Sequence, residues 1–420
     1  MLLPDPGGLS TSSTLTAEKV WWYDRTDFEG ISYLSSLSSS PIGDGRPSLA
    51  FNVGRAPECL LVAENHLGIT DLRLADFPAS DYVHETPGTW WRTIPLDRTG
   101  MKVDVETDGI KLRRLVCGDR DVVTWSVPEP RTPRFHHFTH DSSHRAPARM
   151  ASFLCNHPKA TGYSFLWDCG LVHIHSHTAD EDTAFYQSIR PGSWLHMPVD
   201  HGELITQIWQ QRSPYSREQS IAFVTNTGRV FVAGVYRRTN QSPFALIERP
   251  GPKLSRIYFQ TSDDGIGSLA FATAAPKHEY VFFHQPQPSS NNIFLSIDNY
   301  FFTSHSLHQL EEITPCLASG GTAVTGLLLH FPGGHRGSVG KTRLDRLGDR
   351  FSVTEAPLWF LTFGKRPGGY PYVLEVGTCR PDKDGDFQHM QLSRAGKLEW
   401  IWSERQCLVI CNGHRSPPTT

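Results

Sequence analysis

No apolar run in this 420-residue chain approaches the roughly 20 residues that a helix needs to cross a bilayer. Charge of one sign is also lacking. Forty Lys and Arg face 43 Asp and Glu, and the net charge is −3. That balance gives no electrostatic case for nucleic acid or an anionic membrane. The opening MLLPDPGGLSTSSTLTAEKV has neither a basic start nor a long apolar stretch, so no secretory signal is expected. Cysteine is sparse, at eight, and never occurs as CxxC. Most of these cysteines sit in apolar context, as expected of buried thiols in a reduced, cytoplasmic protein. Only Cys407 and Cys411 come close to a metal-binding pair. The Gly-x-Ser-x-Gly elbow of a serine hydrolase is missing. Long amphipathic helical patterns are missing too, leaving two short helix candidates at 306–313 and 344–348.

What is present is strand and turn. Glycine (35) and proline (30) together exceed average usage. Apolar runs bounded by turn residues recur: CLLVAE (59–64), ITDLRL (69–74), KVDVET (102–107), DVVTWSV (121–127), GLLLHF (326–331), LWFLTF (358–363) and YVLEV (372–376). This is an all-β reading. Gly-Ile recurs at expected strand heads, at Gly30-Ile31, Gly68-Ile69, Gly109-Ile110 and Gly265-Ile266. Glycine there supplies a turn conformation that a Cβ resists. Between Trp194 and Tyr236 the pattern is of successive hairpins, with turns at Asp200–Gly202 and Asn226–Gly228. Asn and Gly at the second turn predict a positive φ.

The order of motifs in that stretch goes beyond hairpin grammar. Gly202-Glu203-x-Ile205-Thr206 followed by Thr225-Asn226-x-Gly228-Arg229 resembles the jacalin-like lectin domain. The resemblance implies a β-prism of three four-stranded sheets, beginning near Ala160-Thr-Gly162 and ending with Ser262-Asp263-Asp264-Gly265 and the strand after it. In that family an Asp near the end accepts hydrogen bonds from sugar hydroxyls, and a Gly amide contacts the sugar. The register places Gly267 where that Asp stands. Gly162, Asp263, Asp264 and Gly265 are the ligand-binding candidates that the resemblance leaves. The flanks, with EGISYL, VAENHLGITDL, PGTWWRTI, SVGKTRLDRLGD and GKLEWIWSERQC, resemble a family of uncharacterised fungal proteins. Its members often carry an F-box, but no F-box pattern occurs here.

The expected organisation is a disordered tail at 1–16, an N-terminal β region at 17–130, and a Pro/His-rich linker at 131–150. The jacalin-like domain follows at 151–275, then a linker at 276–292 and a C-terminal β region at 293–412 that packs with 17–130.

Several constellations bear on chemistry. His173, His175 and His177 share one face of a strand by period two, with Asp180, Glu181 and Asp182 just after. They are metal-ligand candidates, set against a plain polar face. His136, His137, His140 and His144 lie in the linker and read as solvated. Gly334 to Thr342 (GHRGSVGKT) imitates a phosphate-binding loop, but the spacing puts His335 where glycine is required. Paired tryptophans (Trp21-Trp22, Trp90-Trp91, Trp400/Trp402) either stack on sugars or pack a core.

The expected function is a non-catalytic binding or adaptor protein with a lectin-like scaffold and no cofactor. Its partner is a protein or a glycan, not nucleic acid or membrane. A working lectin, and an enzyme with a histidine-lined pocket, are the alternatives.

Overall fold

A computed structural model describes residues 9–15, 22–38, 58–75, 85–96, 101–116, 123–128, 132–138, 149–189, 191–211, 220–236, 242–262, 265–283, 288–289, 299–321, 323–356, 358–365, 371–379 and 388–416. The protein is all-β: strands carry the described chain, and the α-helix among them is a single turn, Phe185–Ser188. None of these helices is long and apolar enough to cross a membrane.

The chain divides into two compact units. One comprises residues 1–152 with 258–261 and 268–274. The other comprises 153–257 with 262–267 and 275–420. The division differs from the expected one, since 293–412 shares a unit with most of the central segment.

An eight-stranded sheet runs in the order Arg134–His137, Ser268–Phe271, Ser255–Gln260, Arg149–Cys155, Thr124–Trp125, Trp90–Pro95, Cys59–Glu64 and Ile69–Ala75, and all of its strands but Ser255–Gln260 and Arg149–Cys155 lie wholly in the first unit. Leu60, Val62, Ile69 and Leu72 of this sheet are buried in one cluster with Val103 and Leu115, which come from the strands Met101–Thr107 and Leu112–Val116 of a separate three-stranded sheet. All four Gly-Ile glycines have positive φ: Gly30 at 77°, Gly68 at 156°, Gly109 at 86° and Gly265 at 101°. Ile31 and Ile69 each begin a strand. At Gly68 a Cβ would meet the Leu112 carbonyl oxygen at 2.5 Å, so the position excludes a side chain on space as well as on backbone.

Two expectations for this unit are corrected. Residues Leu9–Leu15, expected as tail, form a strand paired antiparallel with Met101–Thr107; a sheet edge gains hydrogen bonds from a polar Ser/Thr segment as readily as from an apolar one. His136 and His137 lie in the strand Arg134–His137 rather than in a solvated linker. His140 and His144 are outside the described residues.

In the second unit, Leu171–Thr178, Ala160–Trp167 and Ser193–Pro198 form a three-stranded sheet, with Ala160–Trp167 in the centre. A five-stranded sheet contains Val230–Ala233, Ile221–Thr225, Ile205–Gln211, Phe244–Glu248 and Tyr280–Val281. No helix occurs among the described residues of 195–235.

The motif carried by this second sheet interlocks with itself. Arg229 donates to both Glu203 carboxylate oxygens, at 2.9 and 2.7 Å. Thr227 Oγ1 and the Asp200 amide also donate to Glu203. The Asn226 side chain accepts from the Leu204 amide at 2.9 Å and donates to the Gly202 carbonyl at 3.1 Å. Gly228 has φ 82°, as the turn chemistry requires. The residues that signal the hairpins in sequence are therefore those that staple them.

The later strands include Glu312–Leu317, Val324–His330 and Arg336–Gly340, paired in succession. Arg336–Gly340 is tied to the three-stranded sheet. The Arg336 amide donates to Asp200 at 3.1 Å, and its guanidinium donates to the Thr161 and Val199 carbonyls. Ser338 Oγ donates to the His196 carbonyl. The phosphate-loop mimic is thus a β-strand with its turn. Of the helix candidates, 344–348 holds a short 3₁₀ turn, Leu344–Arg346. The 306–313 segment is instead a turn between the strands Phe301–Ser306 and Glu312–Leu317.

Candidate functional site

Two places in the second unit concentrate chemistry. The first is the histidine strand, Leu171–Thr178. Period two puts His173, His175 and His177 on one face, as the sequence requires. That face is not a plain solvated one. The turn at Phe185–Ser188 covers it, with the Phe185 ring stacked on His175 at 3.9 Å between centroids, and His177 is fully buried.

Glu181 returns under the strand. It touches His175 Nε2 with one oxygen and lies 3.2 Å from His177 Nδ1 with the other. On the far side of the ring, His177 Nε2 is 2.9 Å from Ser164 Oγ and 3.2 Å from Tyr186 Oη. Ser164 Oγ also meets Tyr186 Oη at 2.9 Å and His196 Nδ1 at 3.0 Å. Burial works to raise the Glu181 carboxyl, but hydrogen bonds from His175 and then His177 outweigh it and hold it down at about 2. Burial lowers His177, although its hydrogen bond to Glu181 pulls the other way. Burial also pushes His173 down to about 3, assisted by the charge of His175.

The chain Glu181–His177–Ser164 has the connectivity of a hydrolase triad. Ser164, however, is fully buried, and its hydroxyl is engaged by His177, His196 and Tyr186 at once. No substrate carbonyl reaches it, and the arrangement is a satisfied polar network. His173 is not among the convergent donors; its ring packs against His175, Phe185 and Trp194.

The sequence-derived ligand residues are scattered by comparison. Gly162 is buried in its strand, where a Cβ would meet His196 Cε1 at 2.6 Å. Gly265 is buried with φ 101°, and a Cβ there would meet the Leu171 carbonyl oxygen at 2.9 Å. Both glycines are thus needed for close packing. Asp263 and Asp264 lie outside the described residues.

No protein-family model matches this chain, and no curated protein matches it either. What the site can do therefore rests on its own geometry.

The second place is a cavity of about 670 Å³ lined by Lys341, Arg343, Arg346, Trp167, Tyr372 and Trp402, among others. Gly340 sets it up. At φ 78°, with a Cβ path closed by the Thr325 carbonyl oxygen at 2.6 Å, Gly340 ends the strand and turns Lys341 into the wall. The Lys341 backbone is then clamped, its amide donating to the Thr325 carbonyl and its carbonyl accepting from Thr325 Oγ1. Arg343 is neutralised by Asp345 through two hydrogen bonds, at 2.9 and 2.7 Å. Lys341 has no carboxylate within ion-pair distance among the described residues. Burial first, then the charges of Arg343 and Arg346, lower its ammonium. The aromatic wall is built by Trp402 stacked on Phe301, with Trp167 edge-on to the same ring. A smaller cavity of about 360 Å³ is lined by Arg229, Phe231, Tyr236 and His305, but Arg229 is already committed to Glu203.

Sequence reasoning found the histidine face and its acidic neighbour. It missed Ser164, Tyr186 and His196, which reach the histidines through strand pairing, and it missed the cavity. The Gly-Lys pair after a good strand was the available signal, hidden by its likeness to a nucleotide motif.

Proposed function

We propose that this is a non-catalytic binding protein on a lectin-like scaffold, and that the cavity around Lys341 holds a small anionic ligand with a ring. The scaffold reading is supported by the hairpin staple of Glu203, Asn226 and Arg229. The observation that carries the ligand reading is Lys341 itself: a cation drawn into a tryptophan-walled cavity and crowded by two arginines, with Glu404 on the same wall but no described carboxylate within ion-pair distance. An ammonium in that position is stabilised by a bound anion. The indole and phenol faces suit the apolar face of a sugar or a planar ring. Acidic saccharides, whose carboxylate or phosphate sits beside a ring, fit both walls.

Isothermal titration with glucuronate, glucose and a nucleoside monophosphate tests this. The acidic sugar should bind and its neutral counterpart should not. Lys341→Gln should weaken binding by about 10- to 100-fold, the loss of a charged hydrogen bond worth roughly 1.5–3 kcal/mol. Equal binding of glucose and glucuronate, or an unchanged affinity in the variant, would sink the proposal. Binding of the nucleotide alone would keep the anion site and replace the saccharide.

A further inference from the structure

The donors at the histidine strand converge as metal ligands do. We propose that His175, His177 and Glu181 form a mononuclear site for a divalent transition metal, with zinc the best-fitting ion. One ring nitrogen each of His175 and His177 and one Glu181 oxygen all lie within 4.8 Å of one another. A tetrahedral zinc with bonds of about 2.0–2.1 Å holds its donors roughly 3.3 Å apart. The 3.2 Å between His177 Nδ1 and Glu181 Oε2 already has that spacing, and His175 Nε2 meets the other oxygen of the same carboxylate. Two imidazoles and one carboxylate select a transition metal over calcium or magnesium, which take oxygen ligands.

The surroundings supply what such a site needs. A histidine bound through Nδ1 carries its proton on Nε2 and must donate it. His177 Nε2 faces the oxygens of Ser164 and Tyr186, so an acceptor is in place. Ser164, Tyr186 and His196 hold one another, which fixes the ring orientation before the ion arrives. Phe185 stacks on His175 and restrains the second ligand. The His175 and Glu181 side chains are 25% and 20% exposed, so solvent reaches the donors. Three protein ligands leave the fourth position to water, as in sites that exchange ligands rather than closed structural ones. His173 shares the strand face but lies outside the convergent set. The site is independent of the Lys341 cavity and of the saccharide reading.

Full-length protein, stripped with a chelator and dialysed against Zn²⁺, tests the assignment. Bound metal is counted by mass spectrometry, and Co²⁺ replaces Zn²⁺ for its visible absorption. The wild type should hold one ion per chain and give the intense bands of a four-coordinate cobalt centre. Glu181→Gln and His175→Ala, both partly exposed, should each weaken binding by at least tenfold and abolish those bands. His173→Ala should leave stoichiometry and spectrum unchanged. His177 is too buried for a clean substitution, and circular dichroism confirms that the tested variants are folded. No bound ion in the wild type, or an ion held equally by His175→Ala, would overturn the proposal. Loss of binding in His173→Ala alone would overturn the ligand assignment.

Discussion

At the residue scale, Glu203 and Asp108 show how carboxylates fix this fold. Glu203 is buried and receives Arg229, Thr227 and the Asp200 amide. Removing one partner of such a pair leaves the other charge uncompensated, at about 3–5 kcal/mol. Arg229 retains some solvent access, 26% for its side chain, so Glu203→Ala should cost about 3 kcal/mol in urea unfolding. A loss below about 1 kcal/mol would show that the staple contributes little. Asp108 closes the turn before Leu112–Val116: it accepts from the Ile110 and Lys111 amides and from the Lys111 ammonium. Burial works to raise its carboxyl, but those hydrogen bonds outweigh it and hold the group at about 2, against an ordinary 3.8. A depressed folded value stabilises above the unfolded value and stops doing so as pH falls towards the folded one. Wild type should therefore exceed Asp108→Asn in stability at neutral pH, where the carboxylate still pairs with Lys111. The gap should close between pH 4 and pH 2. Asn keeps the turn's side-chain oxygen, so Asp108→Ala should be worse than Asn at every pH. A pH-independent gap between wild type and Asn, followed by denaturant unfolding, contradicts this reading.

At the element scale, local order was legible and partnership was not. Cys59–Glu64, Leu358–Lys365 and Pro371–Gly377 follow from apolar runs bounded by turn residues, because a strand's identity is largely its own sequence. The turn at Asn226–Gly228 follows from Gly228's freedom at positive φ. The single helical turn Phe185–Ser188 was not read, since four residues carry no period. Nor was the strand Leu9–Leu15, whose pairing with Met101–Thr107 depends on a partner about ninety positions away. The histidine site shows the same divide. One face of Leu171–Thr178 is fixed by alternation, whereas Ser164 and His196 arrive through neighbouring strands. Glycines mark where elements meet. Gly340→Ala puts a Cβ 2.6 Å from a carbonyl oxygen at a positive φ, and neither contact nor backbone can give cheaply. The variant should lose roughly 1–3 kcal/mol of stability and should shift Lys341. A Gly340→Ala protein with wild-type melting temperature would mean that the strand end relaxes freely.

At the scale of the molecule, chain order and compactness part company. Residues 258–261 and 268–274 belong with the first unit although the segments around them belong with the second. Composition and motif order divide a chain at its loops, whereas compact units form where buried side chains meet, and only the strand order decides that. The first unit has its own apolar cluster, with Leu115 fully buried beside Leu60, Val62 and Leu112. Leu115→Ala deletes a methine and two methyl groups there and should cost about 2–5 kcal/mol, depending on how far the cavity collapses. If each unit opens as its own cooperative block, the loss should be confined. Hydrogen exchange should quicken in Cys59–Glu64 and Ile69–Ala75, which pack on that cluster. Val324–His330, in the second unit, should keep its wild-type protection. Binding of Zn²⁺ or an acidic sugar should act in the opposite sense, slowing exchange in Leu171–Thr178 and Val324–His330 while leaving Cys59–Glu64 as it was. Equal loss of protection in both units on Leu115→Ala would show that the chain opens as one block, and the division into separately stable units would then fail as a description of its energetics.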